Sequence, residues 1–271
     1  MKLLETLHSG EYKRVVIVSH SLGTILALDL LSYFWATKAQ ARTVSEESTD
    51  FDALCQLEKA AANIVRENPN KDSLEEFYQA QRNLSDHLAA SNRPLEARWL
   101  ITDLITLGSP LCHAELLLAY DKADLKHRMA SREIPESPPF RESADPKVIK
   151  RARETGKLPI AAPEEKTRLM CFPNSDTTWQ LHHAAPFSAV RWTNIYDESK
   201  WIWRGDIISG PLGATLGPAI IDINIADHQK HISWIFTHRK YWKIDGHKWR
   251  IKILQYAVNL LHRRKSDPPI F

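Results

Sequence analysis

Ser21 stands at the centre of the pentapeptide Ser19-His20-Ser21-Leu22-Gly23, and both flanks of that run suit a reactive serine. Residues 15–18 (Val-Val-Ile-Val) are β-branched throughout, as in a strand buried on both faces. Residues 24–31 are apolar nearly all round, as in a buried helix. A strand, a tight turn and a helix in succession lift the serine hydroxyl above the end of a sheet. The same geometry aims the N–H groups of the helix N-terminus at the spot where an attacked carbonyl oxygen gathers negative charge. The Leu22 backbone N–H is the donor placed to receive that oxyanion. The run departs from G-x-S-x-G only at Ser19, itself a small residue, and Gly23 keeps the second small position, where helix and strand are expected to cross closely. The same residues also suit a buried strand-turn-helix that carries serines incidentally.

VVIVSHSLGTILALDLL resembles the nucleophile region of the α/β-hydrolase superfamily, in particular its lipase-like serine hydrolases. Three later segments extend the resemblance over most of the chain: ITLGSPL, then RWTNIYD with GDIISGPLG, then THRKYW. The resemblance implies a catalytic triad in the chain order Ser…Asp…His. It maps the acid onto Asp206, which is followed by small and apolar residues and Gly-Pro-Leu; Asp197, nearer the strand end, is the rival. Either aspartate also suits a simple turn cap. The histidine maps onto His238 in THRKYW, ahead of His228, His231 and His247. In that scheme His238 takes the Ser21 proton, Ser21 attacks a carbonyl carbon, Asp206 orients the imidazole, and water releases the acyl-enzyme. The implied substrate is a small carboxylic ester or related acyl compound, with no cofactor and no metal. Ser109 reads as a structural turn residue. His182 and His183 are adjacent, and adjacent side chains point different ways on most backbones, which disfavours a metal site there.

These residues need a sheet to hold them. Apolar runs at 15–18, 99–107, 189–196 and 219–226 predict about four strands, mainly parallel and in sequence order, with the nucleophile strand first. The fold class is α/β. By resemblance it is a partial three-layer α/β-hydrolase-like unit, one domain over residues 1–271. A helical insertion over 46–97 carries helices near 51–66 and 73–90, the second opened by a capping box at Ser73; it reads as a lid or as an insertion packed on the sheet edge. A further helix is expected over 114–125. Residues 126–185 form a long Pro-rich loop region in which only 146–154 looks helical, and 248–264 closes the chain as a basic amphipathic helix. In the resembled fold the nucleophile strand is the fifth of eight, whereas here only residues 1–12 precede it. The chain therefore looks N-terminally truncated, without the loop that usually supplies a second oxyanion donor, and impaired hydrolysis is expected. The alternatives are a catalytically inactive binding or scaffold protein and an incomplete gene product. An open apolar strand edge predicts self-association.

Composition sets the remaining bounds. With 43% hydrophobic and 25% charged residues the chain has an ordinary globular balance, and a net charge of +3 is too small to argue for nucleic acid. Three cysteines without metal-type spacing predict free thiols in a reducing compartment, hence a cytoplasmic location. No stretch approaches the ~20 apolar residues of a membrane span, so no integral membrane segment is expected.

Overall fold

A computed structural model describes residues 1–198, 206, 208–225, 241 and 248–258. In chain order it contains α1 (Lys2–Ser9), β1 (Val15–His20), α2 (Gly23–Thr37), β2 (Thr43–Ser45), α3 (Thr49–Ala62), α4 (Lys71–Ala89), β3 (Ile101–Leu107) and α5 (Ala114–Leu117). Then follow α6 (Lys122–Ala130), β4 (Glu142–Ser143), α7 (Pro146–Thr155), β5 (Arg168–Leu169), β6 (Cys171–Pro173), β7 (Thr178–Leu181), β8 (Arg191–Tyr196), α8 (Gly213–Leu216), β9 (Ile221–Asn224) and α9 (Lys248–Val258).

The chain is mixed α/β, and its main sheet runs β1-β3-β8-β9 with every pairing parallel. Sequence order along the sheet is thus as expected, with β1 at one edge. All seven residues of β3 are buried, as the second strand of a covered sheet requires, whereas β1 is only partly buried and Val18 is 37% exposed. Alternate residues feed two apolar clusters. Leu104 and Trp192 join Leu28 and Leu31 of α2, Phe51, Leu54 and Leu57 of α3, and Phe77 and Leu84 of α4. Ile105, Leu107 and Ile195 join Ile253, Tyr256 and Ala257 of α9, together with Tyr241.

The helices α3 and α4 belong to the main core. Gln81 of α4 donates through Nε2 to the carbonyls of Phe187 (2.6 Å) and Val190 (3.0 Å) at the entrance to β8. The α4 N-terminus differs from the expected capping box at Ser73. Asn70 caps it, its side-chain oxygen accepting from the N–H groups of Asp72 (2.6 Å) and Ser73 (3.3 Å), so the helix starts a few residues earlier. The helix expected over 114–125 is interrupted: α5 ends at Leu117 and α6 restarts where the Asp121 carboxylate accepts from the Asp124 N–H at 2.8 Å.

Two expectations around Ser21 are corrected. The helix α2 is not buried all round. Thr24, Ala27, Leu28, Leu31, Phe34 and Trp35 face the core, but Leu26 is 66% exposed and Tyr33 is exposed as well. The reason is position: α2 packs beside the edge strand β1, so only one side of it meets the core. Nor does Gly23 mark a close crossing, since a Cβ there would meet nothing within 4 Å.

Residues 126–185 hold short strands as well as α7. β4 pairs with β5, and β6 and β7 make an antiparallel sheet with β2. Strands of two to four residues are too short to carry a readable period. Buried carboxylates pin this region to the helices. Glu58 of α3 accepts from the N–H groups of Met170 (2.6 Å) and Cys171 (3.1 Å), and Arg66 grips Glu136 through two hydrogen bonds of 2.6 and 2.7 Å.

At the N-terminal ends of the strands, Asp103 of β3 joins three elements. It accepts from Arg14 (2.5 Å) and from Arg191 of β8 (2.8 Å), and the same two guanidiniums donate to the Val258 and Ala257 carbonyls of α9. A buried carboxylate is tolerated there because its charge is paired. The three cysteines are free thiols. Among the described residues, no helix is long and apolar enough to cross a membrane.

Candidate functional site

The site is built at the C-terminal ends of β1, β3 and β8. β1 ends at His20, α2 begins at Gly23, and Ser21 between them has φ +55°. This is the left-handed region, which costs a non-glycine residue of order 1–2 kcal/mol. Hydrogen bonds hold the turn in that state. The Ser21 N–H donates to the Leu107 carbonyl at the end of β3 (3.0 Å). The Ser21 carbonyl accepts from the Thr24 N–H (2.9 Å) and the Thr24 hydroxyl (2.7 Å). Ser109, read as structural, is part of the same brace: its hydroxyl lies 2.7 Å from that of Thr24 and accepts from the Leu111 N–H at 3.2 Å. Among the described residues the other non-glycine with positive φ is Arg132, whose N–H bonds the Met129 carbonyl just past α6. That is an ordinary way to end a helix. Ser21 precedes a helix, so helix termination does not account for its conformation.

The Leu22 backbone sits in the first turn at the start of α2, where N–H groups have no acceptor within the helix. Its side chain is 65% exposed. The Leu22 N–H therefore lies at the N-terminus of α2, next to Ser21 in the chain.

Asp206 and Asp197 are both buried at the end of β8, and the Asp206 N–H donates to the Asp197 carbonyl at 3.2 Å. The Asp206 side chain is held at both oxygens: Oδ1 accepts from the Ile208 N–H (3.0 Å) and Oδ2 from the Tyr241 hydroxyl (3.0 Å). The Tyr241 hydroxyl also lies 3.1 Å from the Ser209 hydroxyl. The Tyr241 ring reaches back to the serine turn, its centroid 5.7 Å from that of His20. Tyr241 thus connects the residue before Ser21 to the carboxylate of Asp206. Burial, with the nearby Asp206 carboxylate, pushes the Tyr241 phenol far up, so it stays a protonated donor.

Tyr241 was legible in the sequence only as part of THRKYW, without a role of its own. A second set of residues was not legible at all. Asp222 of β9 accepts from the N–H groups of Leu212 (3.0 Å) and Gly213 (2.8 Å) and from the Asn194 amide (2.7 Å). Asn194 also donates to the Gly210 carbonyl and accepts from the Thr106 hydroxyl, each at 3.0 Å. Burial raises the Asp222 carboxyl above its ordinary range, while these three donors oppose the rise. The network fixes the Gly-Pro-Leu-Gly segment that follows Asp206. Asn194, a buried amide between Trp192 and Ile195 in a central strand, is the signal that could have found it. Cys112 packs against the same segment, its Sγ 3.3 Å from the Ile208 carbonyl, and burial pushes its thiol up to about 11.

His238, and with it His228, His231 and His247, lies outside the described residues. His182 holds a structural position: its Nε2 lies 2.8 Å from the Phe140 carbonyl and its Nδ1 accepts from the Ala184 N–H at 3.2 Å. Burial lowers it to about 4, which keeps it neutral with Nε2–H as the donor. Among the described residues, no group of three or more His, Cys, Asp or Glu side chains is placed to hold a metal ion. Compared with known proteins, the chain matches no protein-family model, no curated protein and no solved structure.

Proposed function

We propose that this chain is a serine hydrolase of carboxylic esters or related acyl compounds, built on a three-layer α/β-hydrolase-like unit. Ser21 is the nucleophile, His238 the base, Asp206 the acid that orients it, and the Leu22 N–H an oxyanion donor. The observation that carries the reading is the backbone of Ser21. A serine held at φ +55° between a parallel strand and the helix after it carries a backbone strain that helix termination does not explain. Such strain is kept where it serves a reacting group. The position of Asp206 adds to it: the buried carboxylate is tied through Tyr241 to the residue preceding Ser21. Tyr241 follows His238 by three residues in the sequence, and three residues of chain reach at most about 11 Å.

In the reaction the Ser21 hydroxyl gives its proton to His238 as its oxygen attacks the carbonyl carbon. The carbonyl oxygen, now negative, accepts a hydrogen bond from the Leu22 N–H. The imidazolium then protonates the leaving alcohol; in the second half, the same histidine removes a proton from the water that attacks the acyl-enzyme and gives it to the departing Ser21 oxygen. The test is hydrolysis of p-nitrophenyl acetate and butyrate by the chain and by its Ser21→Ala, Asp206→Asn and His238→Ala variants. Loss of turnover in all three supports the reading. Turnover unchanged in Ser21→Ala, or absent from the chain itself, favours a binding or scaffold role.

A further inference from the structure

We propose that Tyr241 is a positioning residue of this site, acting through the carboxylate of Asp206. The proposal rests on the reading of Ser21, Asp206 and His238 as a triad. A triad carboxylate must present a fixed oxygen to the imidazole, and a buried aspartate has two rotatable side-chain bonds to lose. Here the Ile208 N–H fixes Oδ1 and the Tyr241 hydroxyl fixes Oδ2, each at 3.0 Å. Tyr241 can serve as a rigid strut because its ring is buried among Ile105, Leu107, Ile195 and Ile223 on one face of the sheet. The donor stays protonated throughout the working pH range. Among the described residues, the groups near Asp206 include the Asp197 backbone carbonyl, Ser209 (through Tyr241), the Cys112 thiol, the backbone of Glu198, which pairs with it in an isolated β-bridge, and, beyond the Tyr241 ring, His20. Tyr241 both hydrogen-bonds Asp206 and sets its ring beside His20, the residue before Ser21. It therefore couples the acid loop to the serine turn as well as orienting the carboxylate.

The test is a double-mutant cycle on the intact chain with a short p-nitrophenyl ester. Tyr241→Phe removes the donor and keeps the ring. Loss of a hydrogen bond to a charged group predicts a fall in kcat of about 10- to 100-fold, with KM unchanged. In an Asp206→Asn background the same substitution should cost little more, because the residue through which Tyr241 acts is already impaired. Ser209→Ala, which leaves the donor on Asp206, should cost much less than Tyr241→Phe. Melting temperatures, measured alongside, separate a packing effect: a merely structural Tyr241 would lower activity equally in both backgrounds. The proposal is overturned by wild-type kcat in Tyr241→Phe, or by losses that multiply across the cycle. An unreactive Ser21 in the unmodified chain would instead overturn the triad reading itself, and this role with it.

Discussion

Ser21→Gly should stabilise the protein relative to Ser21→Ala. Both substitutions remove the hydroxyl, so the comparison isolates the backbone. At φ +55° an alanine Cβ carries the same left-handed penalty as serine, of order 1–2 kcal/mol, and glycine carries none. Glycine gives back about 0.5–1 kcal/mol through the greater freedom of the unfolded chain. The balance favours Ser21→Gly by roughly 1 kcal/mol. In a chain of 271 residues that difference moves the melting temperature by only about 2 °C. Urea unfolding followed by tryptophan fluorescence is the sharper assay, because nine tryptophans report the transition and the midpoint can be compared at constant slope. A Ser21→Gly midpoint at or below that of Ser21→Ala would refute the claim that the turn is strained. Kept strain of this kind is the stability cost expected where a reactive group must be presented.

Three further outcomes follow from the packing. Gly217 has φ +115°, and a Cβ there would lie 2.2 Å from the Ser137 carbonyl oxygen, so Gly217→Ala should lose at least about 3 kcal/mol in chemical denaturation. Asp103→Ala removes the carboxylate shared by Arg14 and Arg191 and should cost about 3–5 kcal/mol by the same measurement, with the end of α9 the first region to gain hydrogen exchange. His182, lowered to about 4 from an ordinary 6.5, binds protons more readily in the unfolded chain between those values, so its contribution is present above pH 6.5 and lost as pH falls toward 4. That term is at most about 3 kcal/mol, and His182→Gln should flatten the stability–pH curve across the window.

The order of the main sheet was legible because each strand centres on a short β-branched or aromatic stretch, most plainly Val15-Val16-Ile17-Val18, and right-handed crossovers set successive parallel strands side by side. The serine turn was legible for the same reason, since a polar tripeptide between two apolar runs marks a boundary. Other features depend on which neighbour a residue meets, which a single chain does not display. Trp99 and Leu100 continue the apolar run of β3, yet β3 begins at Ile101 and Trp99 packs edge-on against Trp35 instead. The apolar surface of α2 gives no sign that one side lies beside an edge strand and is left open at Leu26 and Tyr33. Asn70 and Ser73 both suit a helix start, and the choice between them is settled by which N–H groups the side chain reaches. The Asp222–Asn194 network joins residues 28 positions apart, and only the pairing of β8 with β9 brings them together.

The central claim is that Ser21 is a nucleophile, and covalent labelling tests it most directly. The full chain would be treated with a fluorophosphonate, digested, and mapped by mass spectrometry. The predicted result is one adduct on Ser21, absent from Ser21→Ala, retained on Ser109→Ala, and strongly slowed in His238→Ala. An unlabelled Ser21 in a chain shown to be folded, or an adduct carried on another serine, would contradict it.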